Sequence, residues 1–210
     1  MSDRIQFRYP RNYGYIEYNM HDEVVKHIWD CINTSKGNSA KYNLVGQIDK
    51  SYELNDKKNW LWKNAINKLC NEYKNQWGDG HCKIPLDGEY SLYLKDWWVN
   101  YQNKHEYNPM HDHGGIYSFA AWMKIPTWYN DQATMRNAVD ASTSFNSTFN
   151  FQYLDIFGKI RTVRFDLSPE YENMLLFFPS ALQHCVYPFY NCDEQRISIS
   201  GNIWLKDINK

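Results

Sequence analysis

The sequence predicts a mainly β protein with flanking α-helices: a sandwich or barrel of antiparallel strands, buttressed on one outer face by two N-terminal helices. Aromatic residues make up 17% of the 210-residue chain, with 17 Tyr and 9 Trp, and flat rings pack well on pleated surfaces. From Glu89 onward, short β-branched and aromatic runs alternate with polar turns at intervals of roughly 8 to 20 residues, a rhythm of antiparallel rather than parallel sheets. Ahead of Glu89 the apolar period is helical instead.

The first helix is expected in "DEVVKHIWDCINTS", where Val24, Val25, Ile28, Trp29 and Ile32 recur at helical spacing behind Asp22 as N-cap. The second is expected in "NDKKNWLWKNAINKLCNEYKNQWGDG", on Trp62, Ala65, Ile66, Leu69 and Tyr73, with Asp56 as cap and Gly78 and Gly80 as stops. The strand candidates are "EYSLYLKDWWVNYQ", "IYSFAAWMKI", "TSFNSTFNFQYL", "IRTVRFDL", "NMLLFFP", "HCVYPF" and "RISISGNIWL". Residues 130–147, polar and rich in small side chains, read as a long loop of the kind that covers a site. The length suits a single domain over 1–210, with a helical buttress over 1–80 and a β core over 89–205.

Composition excludes some partners. With 23 basic and 24 acidic residues the net charge is -1, so no global field indicates nucleic acid or an anionic membrane. No apolar run approaches the ~20 residues of a membrane helix, and the polar start "MSDRIQFRYPRNYG" lacks the apolar centre of a signal peptide. Cys31, Cys70, Cys82, Cys185 and Cys192 are odd in number and without CxxC spacing, which points to free thiols in a reducing compartment. The expectation is a soluble cytoplasmic protein, in the host cytoplasm if virus-encoded.

His111 and His113 flank Asp112 just ahead of the apolar run "IYSFAAWMKIP". In a strand, residues two apart share a face, so the two imidazoles can aim at one point while Asp112 turns away. Alone, the pair fits a metal site or a polar turn before a buried strand. Far downstream, "LLFFPSALQHCVYPF" places His184 at the head of a strand between apolar neighbours. Arg196 and Ser198 follow, again two apart. A guanidinium in an otherwise apolar strand needs an anion, and a small molecule carrying a carboxylate satisfies both residues.

The phrases "WWVNYQNKHEYNPMHDHGG", "YSFAAWMKIP", "LLFFPSALQHCVYPF" and "RISISGNI" resemble the iron(II)/2-oxoglutarate-dependent oxygenases, whose pattern is HxD, a distal His and Arg-x-Ser. The resemblance runs from about Glu89 to Trp204 and is closest to phage and marine-bacterial 2-oxoglutarate-Fe(II) oxygenases. It implies a double-stranded β-helix, the cupin-like jelly-roll barrel of eight strands, and Fe(II), 2-oxoglutarate and O2 as cofactor and cosubstrates. Carried over, His111, His113 and His184 hold the metal, and Arg196 clamps the distal carboxylate of 2-oxoglutarate with Ser198 assisting. Tyr101 becomes a donor to the cosubstrate, and Asn100 and Trp122 become pocket-lining candidates; Asn202 joins them as the continuation of the alternating face of Ser198 and Ser200. No catalytic residue is implied beyond these ligands.

His113 departs from the pattern, because the usual triad is two histidines and one carboxylate. Imidazole at that position leaves the site one charge more positive; Asp112 as ligand is the alternative and needs the backbone to twist out of strand geometry. The function implied is hydroxylation of a C–H bond of an unknown substrate, with a slight preference for a protein or peptide side chain. Two rivals stand beside it: a three-His cupin-type metalloenzyme without 2-oxoglutarate, which Arg196 and Ser198 argue against, and a noncatalytic jelly-roll binding protein. His105 fits either a substrate entrance or a solvent-facing turn.

Overall fold

The computed structural model describes residues 6, 12–35, 37–78 and 90–208. Two antiparallel sheets face each other and do not join into one closed hydrogen-bonded barrel. The N-terminal part supplies β1 (Ile16–Asn19), α1 (Asp22–Asn33), β2 (Lys50–Glu53) and α2 (Asn67–Trp77), which continues a π-helical turn at Trp62–Ile66. Then follow β3 (Tyr90–Gln102), β4 (Asn108–His111), β5 (Tyr117–Lys124), the short α3 (Tyr129–Ala133), β6 (Thr148–Leu154), β7 (Ile160–Asp166), β8 (Met174–Pro179), β9 (Gln183–Val186) and β10 (Arg196–Asp207). The larger sheet has the order β1-β8-β5-β10-β3-β2 and the smaller β4-β9-β6-β7. Without β1 and β2 this is the eight-strand jelly roll that the resemblance implied.

The alternation of side chains explains how the layers assemble. Odd-numbered residues of the central strands, including Tyr117, Phe119, Phe177, Ile199 and Ile203, join Val24, Ile28, Ile66, Leu69 and Tyr73 of the helices in one core. Even-numbered residues, including Ala120, Trp122, Leu176 and Phe178, face the smaller sheet and meet Phe149, Phe151 and Phe165. β5 is therefore buried on both faces, which is why its sequence is almost wholly apolar. Trp97 goes to the helices and Trp98 to the interior, as neighbours on a strand must.

Several expectations need correction. The N-cap of α1 is His21, whose side chain makes no cap hydrogen bond; Asp22 is the first helical residue, where its charge complements the helix dipole. Asp56 does cap the second helix, accepting from the Leu61 and Trp62 N–H groups at 2.8 and 3.0 Å, and Gly78 ends it at φ +74°. Gly80 lies outside the described residues. The strand expected to start at Thr143 starts at Thr148. β1 and β2, each four residues long, were not anticipated and lie at the edges of the larger sheet. The N-terminal part is thus strand as well as helix.

The segment between α1 and β2 wraps the open edges near the site. Ala40 N–H donates to Ser51 O and Glu53 N–H to Asn38 O, while Tyr107 N–H donates to Gln47 O. A Cβ on Gly46 would lie 2.3 Å from Tyr107 O, so only glycine fits where this strap crosses β4. Among the described residues no helix is long and apolar enough to cross a membrane. Cys31, Cys70, Cys185 and Cys192 are free thiols, and Cys82 lies outside the described residues.

Candidate functional site

Between the sheets lies a partly open cavity, with about 540 Å³ of empty space when the solvent at its mouth is included. Its floor is an inner-face lattice of β3 and β10, in which Arg196 sits opposite Gln102, Ser198 opposite Asn100, and Ser200 opposite Trp98. Ser198 and Ser200 line the cavity, as do Trp98, Asn100 and Gln102. The strap contributes Leu44 and Ile48 to the wall.

At one end His111, His113 and His184 bring one ring nitrogen each within 4.8 Å of one another. Cross-strand pairing does the first half, since His111 on β4 sits directly opposite His184 on β9. His113 lies beyond the end of β4, not on a strand as expected, and is fixed by its N–H donating to Ser180 O at 2.9 Å. His111 Nδ1 and His184 Nδ1 donate to the carbonyls of Pro109 and Leu182, at 2.7 and 2.8 Å, which leaves each Nε2 with a lone pair. Asn108 Nδ2 donates to His111 Nε2 at 3.1 Å and holds the lone pair a metal would take.

His113 Nε2 and His184 Nε2 are 3.1 Å apart. As a hydrogen bond, that contact needs a proton on one nitrogen. Two nitrogens each ~2.1 Å from one ion and at right angles would lie ~3.0 Å apart, so the spacing also fits the edge of a coordination polyhedron. Burial lowers the pKa of all three rings: His113 to about 4, helped by repulsion from His111, and His184 well below its ordinary value. Neutral imidazoles, whose ring-nitrogen lone pairs can turn from these partners to an ion, are what a cation requires.

A cation lies behind the cavity floor, next to the lining residue Gln102. Arg196 is fully buried, and burial pulls its guanidinium down to about 9, still charged at neutral pH. Its partners are neutral: Nη1 donates to Gln102 Oε1 at 3.3 Å, Nη2 donates to Ser147 Oγ at 2.6 Å, and Phe189 lies beneath it with the ring centroid 4.8 Å from Cζ. Nε has no partner. A buried charge without a counter-ion is costly.

The other anticipated residues divide. Asn100 and Trp122 line the cavity, and the buried Asn100 Oδ1 is unpartnered. Tyr101 needs correction: it points to the other face, packs against the helical core and meets Tyr52 edge-on, because Asn100 already faces inward. Asn202 does not line the cavity; it donates to Asp96 and accepts from Ser118 Oγ. Asp112 is exposed and accepts from Gln183 Nε2 at 2.6 Å, away from the histidine cluster. The loop 130–147 does not line the cavity; its last residue, Ser147, reaches Arg196 from behind. Trp98, Gln102 and Asn108 were missed, although strict alternation from Asn100 finds the first two. His105, at φ +70°, sits on a turn against Tyr190.

Residues 96–202, just over half of the chain, match the protein family described as "Putative 2OG-Fe(II) oxygenase". No curated protein sequence matches. The fold is similar to that of a Pseudomonas putida prolyl-4-hydroxylase, at 13% identity and TM-score 0.50 over 93% of each chain. It is also similar to a 2OG-Fe(II) oxygenase family oxidoreductase from Burkholderia pseudomallei, at 9% identity and TM-score 0.52 over 91% of this chain and 84% of that one. The family match spans the three-histidine cluster of the cavity and the buried arginine next to its lining residue Gln102, and the chain belongs to the 2OG-Fe(II) oxygenase family, whose members use Fe(II), 2-oxoglutarate and O2.

Proposed function

We propose that the protein hydroxylates a C–H bond of a protein or peptide side chain, with Fe(II) held by His111, His113 and His184 and 2-oxoglutarate anchored by Arg196 and Ser198. The observation that carries this is a pairing: three imidazoles with depressed pKa values line one cavity, and an uncompensated guanidinium lies behind its floor, bonded to the lining residue Gln102. Bound Fe(II) supplies the redox chemistry by which O2 and 2-oxoglutarate become succinate, CO2 and the oxygen inserted into the substrate.

The chain's own residues do the rest. Pro109 and Leu182 carbonyls fix the tautomers of two histidines, so their Nε2 atoms face the metal rather than a proton. Arg196 orients the cosubstrate by its far carboxylate, and Ser198, two residues on, offers a hydroxyl beside it. Trp98 Nε1 and Asn100 Oδ1, buried and unpartnered on the cavity floor, provide a donor and an acceptor for a polar ligand. Ala120, Trp122, Phe149 and Phe178 make the remaining wall apolar and keep water from the reacting centre. Tyr107 and Val45, exposed on and beside the strap, give the approach an apolar surface suited to a peptide, in keeping with the fold it shares with a prolyl-4-hydroxylase.

The test is anaerobic addition of Fe(II) and 2-oxoglutarate, followed by visible absorption. A weak charge-transfer band is expected in the wild type and absent in His184→Ala. No band with folded wild-type protein overturns the proposal.

A further inference from the structure

We infer that Ser147 is the positioning residue for Arg196, and that its hydroxyl sets how tightly the distal carboxylate of 2-oxoglutarate is held. This rests on reading Arg196 as the carboxylate clamp. Ser147 Oγ makes the shorter of the two hydrogen bonds to the guanidinium, 2.6 Å against 3.3 Å from Gln102.

The residue is held from every side. Its N–H donates to Pro188 O at 2.7 Å, its carbonyl accepts from Leu167 N–H at 2.9 Å, and its own O–H donates to Leu167 O at 3.2 Å. With its proton directed at Leu167 O, Oγ accepts from Arg196 at 2.6 Å and has Thr127 Oγ1 as a more distant neighbour at 3.4 Å. Pro188 also places Phe189 under the guanidinium. Three segments therefore converge on Ser147 to fix one cation.

Ser147 is fully buried at φ +54°, a backbone conformation in which glycine or asparagine is at ease and a serine is uncommon. Nothing in the backbone calls for a Cβ there; what serine adds is the oxygen that reaches Arg196. A neutral acceptor fixes the plane of the guanidinium while leaving its charge for the ligand. A carboxylate at this position would pair with Arg196 and compete with the cosubstrate.

The experiment uses full-length protein loaded with Mn(II), which binds without turnover. Affinities are measured by calorimetry for 2-oxoglutarate and for 2-oxopentanoate, which has a methyl in place of the distal carboxylate. Ser147→Gly and Ser147→Ala both remove the hydroxyl, but only alanine keeps the backbone strain. Both are expected to bind 2-oxoglutarate about 10-fold more weakly, the loss of one hydrogen bond to a charged group, with 2-oxopentanoate and Mn(II) binding unchanged. Melting midpoints should differ between the two variants while their affinities agree. Undiminished preference for 2-oxoglutarate in either folded variant, or a loss that follows the melting midpoint, overturns the inference. Arg196→Met separates the two readings: if it keeps the preference, the clamp itself is wrong; if it loses the preference while the Ser147 variants keep it, only the role of Ser147 fails.

Discussion

β10 shows two different designs on its two faces. Its odd-numbered residues Ile199 and Ile203 are buried against the helices in an apolar core. Its even-numbered residues Arg196, Ser198, Ser200 and Asn202 face the smaller sheet and are polar. The strand period of two allows one segment to serve both layers without compromise. The outer face contributes stability through apolar burial. The inner face of β10 and its neighbour β3 costs stability, since it leaves Arg196 Nε, Trp98 Nε1 and Asn100 Oδ1 without partners, and that cost is expected where binding groups are held ready.

The comparison is broken most severely by changing the histidines. His184→Ala is expected to abolish metal-dependent binding of 2-oxoglutarate, more than 100-fold on the scale of removed metal ligands, while circular dichroism stays that of the folded protein. An outer-face change should do the reverse. Ile199→Ala should cost about 3 kcal/mol of unfolding free energy in urea yet leave the 2-oxoglutarate affinity of the folded protein within about twofold.

Acidity separates the faces too. His111, His113 and His184 titrate near 6.5 when unfolded and lower when folded, His113 at about 4, so below pH 6.5 the unfolded chain binds more protons at these positions. Stability without metal should fall as pH drops from about 6.5 toward 4, by on the order of 3 kcal/mol from His113 alone. Urea midpoints across this range check it, and His113→Gln should flatten the slope. A smaller effect is expected of His113→Asp, which restores the usual carboxylate. It should keep Fe(II) affinity within about 10-fold of wild type, whereas His113→Ala should lose more; metal titration in a chelator buffer distinguishes them.

Much of this was legible because periodicity is a local property. β5 and β8 stand out as short apolar runs, β10 carries its alternation openly, and the spacing of Arg196 and Ser198 puts both on one face. Tyr101 cannot join Asn100 in the cavity, because two neighbours on a strand do not share a face. β1 and β2 were missed because four-residue edge strands take their definition from the strand they join, not from their own pattern. His113 is set by a hydrogen bond to Ser180, a contact across the fold, and Ser147 by the meeting of three distant segments. Neither leaves a trace at its own position.

The central claim is that Arg196 is kept, at a cost to the fold, for an anion. It is tested most directly by the melting midpoint of Arg196→Met, loaded with Mn(II), with and without 2-oxoglutarate. Replacing an unpaired buried charge with an apolar side chain of similar length should leave the unliganded midpoint equal to or above that of wild type. The upward shift that 2-oxoglutarate gives the wild type should disappear. A midpoint several degrees lower, with the 2-oxoglutarate shift retained, would make Arg196 part of the scaffold and contradict the account.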